Sequence, residues 1–64
     1  MYNVGEYVQV KWVDKQDRKS GVQVDVVYKI TEKSYTIIKC VDAQGNIYHL
    51  STIQVRPSTK ELFK

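Results

Sequence analysis

Val22-Gln23-Val24-Asp25-Val26-Val27-Tyr28-Lys29-Ile30 is the stretch that decides the fold class. Val22, Val24, Val26, Tyr28 and Ile30 fall on every second position, with Gln23, Asp25 and Lys29 between them. A period of two is that of an extended strand with one buried face; a helix would repeat its apolar residues every three to four. Val27 interrupts the polar face, which predicts a bulge or bend near Val26–Val27 and a strand that serves two sheets.

The same reading extends outward in both directions. Upstream, Tyr7–Trp12 alternates, with Val8, Val10 and Trp12 on one side and Gln9 and Lys11 on the other. Between these two strands, Asp14-Lys15-Gln16-Asp17-Arg18-Lys19-Ser20-Gly21 is polar and ends in glycine, which reads as an exposed loop. Downstream, Thr31–Ser34 is a short turn and residues 35–41 form a third strand. Both of its registers carry apolar residues. A mid-strand Ile38 and a small Cys40 favour Thr36, Ile38 and Cys40 inward, and this choice decides whether Tyr35 and Ile37 are core or surface. Asp42-Ala43-Gln44-Gly45-Asn46 is a tight turn, with glycine supplying a positive φ. Residues 47–50 make a fourth strand, Ser51-Thr52 a one-turn 3₁₀ step, and Ile53–Arg56 a fifth strand ended by Pro57. In the tail, Ser58-x-x-Glu61 has the spacing of a capping box, which allows one helical turn with Leu62 and Phe63 folded back on the barrel.

Five strands and 64 residues predict an all-β fold: a five-stranded, bent antiparallel barrel over residues 1–57 and a short tail over 58–64. The expected core is Val8, Val10, Val24, Val26, Ile38, Leu50, Ile53 and Val55. A single cysteine excludes an internal disulfide framework and a cysteine-rich metal site, and points to a reducing, cytoplasmic setting. No apolar run is long enough to span a membrane as a helix, and the first ten residues lack the succession of a signal peptide. The net charge of +3 permits a polyanionic partner without demanding one.

Catalysis has little to stand on. His49 is the only histidine and sits inside the fourth strand between Tyr48 and Leu50, with no local nucleophile–base motif. One His and one Cys fall short of a zinc ligand set, and no glycine-rich phosphate loop is present. The expectation is a non-enzymatic binding module without cofactor or metal. Its seven aromatics are Tyr2, Tyr7, Trp12, Tyr28, Tyr35, Tyr48 and Phe63.

Two segments carry a resemblance. Val4-Gly5-Glu6-Tyr7-Val8-Gln9-Val10-Lys11-Trp12 resembles the opening of Tudor, Agenet and KOW-type modules, and Tyr48-His49-Leu50-Ser51-Thr52-Ile53-Gln54-Val55-Arg56-Pro57 resembles their closing segment. Together with the order of strands and turns, these make the chain similar to the SH3-like small barrels over residues 4–57. Free-standing barrels of this size are common in phages and prophages, so the likeness extends to such small proteins. One departure is that Gly21 is followed by the apolar Val22, where KOW modules are basic and glycine-rich.

Two readings of the binding surface stand as alternatives, the first ranked above the second. The first is for DNA or RNA: Lys11 and Lys29 on outward strand faces, Lys15, Arg18 and Lys19 on the adjoining loop, and Tyr7 and Tyr35 as stacking groups. The second is for a protein partner. The resemblance implies an aromatic barrel mouth, for which Trp12, Tyr35 and Tyr48 are the candidates, and the first and last strands are candidate edges for an added strand.

Overall fold

A computed structural model describes residues 2–64. The fold is all-β, as expected. Strands β1 (Tyr7–Val10), β2 (Val27–Lys33), β3 (Ile37–Val41), β4 (Ile47–Ser51) and β5 (Val55–Ser58) form one antiparallel sheet. Its order is β4-β3-β2-β1-β5, so β4 and β5 are the edges and the sheet does not close by pairing them. This strand order is compatible with a small SH3-like barrel. The first strand is therefore not an edge: β1 lies between β2 and β5, with Val10 opposite Val55 and Tyr7 opposite both Lys29 and Ser58.

The inner face builds the core. Val8, Val10, Tyr28, Ile30, Ile38, Cys40, Leu50 and Val55 are buried in one cluster, joined by Val22 from outside the strands. The third strand faces as its Ile38 and Cys40 indicated, while Thr36 lies exposed just before it. The edge between β3 and β4 is bridged at one end by Thr52 N–H donating to the Thr36 carbonyl.

The decisive stretch is only half a strand. β2 starts at Val27, and residues 22–26 leave the ladder because Asp25 adopts a left-handed φ of 69°. That conformation is within reach of Asp and Asn but ends an extended run. Two backbone bonds, Asp25 N–H to Val10 C=O and Val10 N–H to Val26 C=O, still hold the segment to β1. The consequence is that Val22 is buried, Val26 is half-buried against the core, and Val24 is exposed rather than core. The register shift also lies elsewhere than Val26–Val27: it falls between Ile30 and Glu32, where Thr31 is the extra residue.

Further expectations are corrected. Lys15–Lys19 is a short helix, α1, rather than an open loop. Asp14 accepts from the Asp17 N–H at 2.8 Å while Asp17 accepts from the Asp14 N–H at 3.2 Å, a reciprocal cap that the mixed charge concealed. Ile53 is not core: it is the middle of a 3₁₀ turn, Thr52–Gln54, and is 65% exposed, while Gln54 beside it is buried. Pro57 does not end β5. It pairs with Val8 inside the strand, which is tolerable because β5 is an edge and the missing N–H removes no needed bond. Ser58 thus belongs to β5. The tail's single turn is a 3₁₀ turn over Lys60–Leu62, capped by no side chain. Its Phe63 ring rests on Tyr7, with centroids 5.2 Å apart, on the outer face and not on a barrel end.

Candidate nucleic-acid interface and barrel mouth

Register places the outward groups. In β1, Tyr7 and Gln9 alternate with buried Val8 and Val10. Lys29 stands across from Tyr7, and Arg56 across from Gln9. Lys11 continues the outward side past the end of β1, its N–H donating to the Gln54 carbonyl. The outer face near β1 therefore carries Lys11, Gln9, Arg56, Tyr7 and Lys29. Arg56 donates to Gln9 Oε1 at 3.2 Å and sits 3.6 Å from Asp25. Arg56 was missed as a site residue, because its place beside Gln9 depends on the β1–β5 register, which local sequence does not reveal.

The second group of cations is on α1. Lys15, Arg18 and Lys19 are all exposed. The helix is tied down through Asp17, which accepts from the buried Gln54 Nε2; the same nitrogen donates to the Trp12 carbonyl at 3.2 Å, and Gln54 Oε1 accepts from Ser51 N–H at 3.0 Å. The acids of this connection, Asp14 and Asp17, face its own backbone and Gln54, and Arg18 and Lys19 gather in the last turn. Among the described residues, Lys11, Lys15, Arg18, Lys19 and Lys29 form no ion pair; the pairs present are Lys39–Glu32 at 3.0 Å and Arg56–Asp25.

Two of the three rings named for an aromatic mouth, Tyr35 and Tyr48, are not brought together. Tyr48 packs edge-on against Tyr28 at 5.3 Å and turns its hydroxyl toward Asp42 at 3.4 Å. Burial of its ring and the Asp42 carboxylate raise the Tyr48 pKa above the ordinary value. Tyr48 stands opposite Cys40 on β3. Tyr35 lies five residues earlier, roughly 17 Å away along a strand. Tyr35 also stands apart from Tyr7 and Lys29, on the turn between β2 and β3.

At that turn there is a different mouth. Tyr2, Lys33, Ser34, Tyr35, Ile38 and Thr52 line an opening of about 350 Å³. Tyr35 is 99% exposed. Tyr2 is held by its hydroxyl donating to the Val55 carbonyl, and Lys33 Nζ donates to the Tyr2 carbonyl and to Asn3 Oδ1. Tyr2, Lys33 and Thr52 were not identifiable as partners of Tyr35 from local pattern, since each comes from a different part of the chain.

The chemistry available at the remaining groups is limited. Cys40 is buried, and burial pushes its thiol up to about 12, so it stays protonated near neutrality and is a poor nucleophile. His49 faces outward from β4, across from Lys39, and is exposed. Among the described residues, no group of three or more His, Cys, Asp or Glu side chains is placed to hold a metal ion, and no helix is long and apolar enough to cross a membrane. In comparisons with family models, with curated proteins and with solved structures, none matches this chain.

Proposed function

We propose that this protein is a non-enzymatic module that binds single-stranded nucleic acid along the outer face of β1 and β2 and on to α1. The observation that supports this reading is the set of unpaired cations: Lys29 stands across from Tyr7, Lys11 follows on the same side just past β1, and Lys15, Arg18 and Lys19 stand exposed on α1 a few residues further along the chain, none of them in an ion pair among the described residues. Cations in that arrangement track a phosphate backbone, and the Tyr7–Phe63 pair offers aromatic surface to a base. A single strand suits the surface better than a duplex. The one α-helix among the described residues has five residues, too short to read a major groove, whereas a strand face that carries aromatics accepts splayed bases.

The test is fluorescence anisotropy with labelled oligothymidylate, oligouridylate and a short duplex over a salt series. Binding should weaken steeply with salt, by a slope of about 0.7 per phosphate contacted on a single strand. Lys11→Ala with Lys29→Ala should lower that slope by roughly 1.4. A salt-independent affinity, or no binding to any of the three at low salt, sinks the reading.

A further inference from the structure

The turn Thr52–Gln54 touches two separate parts of the surface. At one end, Thr52 N–H donates to the Thr36 carbonyl, next to Tyr35; at the other, Gln54 donates to the Trp12 carbonyl and accepts from Lys11 N–H. A 3₁₀ turn advances only about 2 Å per residue, so three residues separate these anchors by little. Ile53, 65% exposed, thus sits on a turn held at one end to the backbone beside Tyr35, 99% exposed, and at the other to the backbone of Trp12, 45% exposed. Three large exposed side chains carried on backbone tied together in this way depart from the scattered exposed apolar residues that are the norm, and we term the stretch a ridge. The ridge ends at the 350 Å³ opening floored by Ile38, a size that accepts one large side chain.

The charge at that opening is one-sided. Lys33 Nζ spends two of its three donors on neutral oxygens of Tyr2 and Asn3, and meets no carboxylate among the described residues. The other polar side chains that line it, Tyr2, Ser34, Tyr35 and Thr52, bear uncharged hydroxyls. An occupant that complements this end carries an apolar side chain with an acid beside it.

From this we infer that the Trp12–Ile53–Tyr35 ridge and its terminal opening form a docking site for a segment of another protein, one that inserts a large apolar side chain between Tyr2 and Tyr35 and sets a neighbouring carboxylate on Lys33. The extended ridge favours a peptide over a small molecule, which the opening alone would satisfy. The site uses none of the cations assigned above to nucleic acid, so it stands or falls separately from that reading.

Three end-blocked pentapeptides test it: Glu-Asp-Phe-Glu-Asp, the same with Ala for Phe, and the same with Lys for every acid. Each is titrated into the ¹⁵N-labelled protein. The first peptide should shift the amides of Ser34, Tyr35, Thr36, Thr52 and Ile53, and the other two should shift them far less. Tyr35→Ala, a change at a fully exposed position, should weaken the first peptide roughly tenfold while the rest of the spectrum stays put. Shifts confined to α1 and Lys29 would reduce the contact to plain charge attraction and overturn the site. So would equal response to the Ala peptide, or no response at all. Concentration-dependent shifts at the same amides without peptide would assign the ridge to a second copy of this chain instead.

Discussion

The two polar connections of this chain, residues 11–26 and the Asp42–Asn46 turn, begin with the same materials and end differently. Each has an aspartate near its start and a glycine in a left-handed conformation, Gly21 at φ +94° and Gly45 at φ +88°. The shorter one closes on itself: Asp42 accepts from the backbone N–H groups of Gln44 and Asn46, from the Asn46 side chain and from the Tyr48 hydroxyl. The longer one cannot span its gap with one carboxylate. It folds a helical turn, caps it with Asp14 and Asp17, and borrows Gln54, 37 residues beyond Asp17 in the chain. The lesson is that a carboxylate fixes a loop only over a few residues; beyond that, the loop needs an anchor from elsewhere, and its leftover charges become available to a partner.

Gln54→Ala should produce the largest effect. It strands the Ser51 N–H and the Trp12 carbonyl and frees α1 from its anchor, at a cost of about 3 kcal/mol in urea unfolding. Amide exchange should rise across residues 14–22 and stay unchanged in 42–46; equal loss of protection in both connections would break the distinction. Gly21→Ala and Gly45→Ala come next, at roughly 1–2 kcal/mol each, because both force a side chain into the left-handed region. Neither position is sterically blocked: a Cβ at Gly45 meets nothing within 4 Å, and one at Gly21 approaches the Tyr48 hydroxyl at an ordinary 3.6 Å. Costs that differ severalfold would mean that space, not φ, governs one of them.

The smallest effect concerns pH. Hydrogen bonds from the Asn46 side chain, opposed in part by burial, with the Asn46 and Gln44 backbone and Tyr48 adding to them, hold the Asp42 carboxyl below the ordinary carboxylate range. A group whose folded pKa is depressed contributes its stability above the unfolded pKa and loses it as pH falls through the folded one. The short turn should therefore loosen in acid, and Asp42→Asn should flatten that part of the stability–pH curve. A curve unchanged by the substitution would show that the turn holds its shape without the charge.

How much of the molecule was legible in the sequence depends on how far each signal reaches. Alternation in residues 7–10 and 28–30 reports a face, and Val8, Val10, Tyr28 and Ile30 are buried as that alternation says, although Val27 is buried as well. The pattern failed at Val24 and Ile53 because a single backbone event, the left-handed Asp25 or the 3₁₀ turn after Ser51, rotates the adjoining residues out of phase. The reciprocal cap of α1 was present as Asp14-x-x-Asp17, yet the capping signature looks for Glu or Gln at its third position, and Asp17 served instead. Among candidate site residues, Lys29 in β2 and Lys11 just past the end of β1 are exposed, as alternation requires. The neighbours of Tyr35 could not be read, since Tyr2, Lys33 and Thr52 meet only through tertiary closure.

The position of β1 in the sheet has a consequence for how the chain comes into being. Among the strands β1 leaves the ribosome first, but one of its two partners, β5, is made last. Until Ser58 emerges, the ladder from Val10–Val55 to Tyr7–Ser58 cannot form, and one backbone edge of β1 stays open to any other strand it meets. Completion requires closing the loop that runs from β1 to β5, the kind of non-local step that slows folding of small β proteins. The nascent sheet is thus vulnerable to strand capture until β5 emerges, and Pro57, which offers no N–H along the late edge, lessens that hazard once β5 is in place.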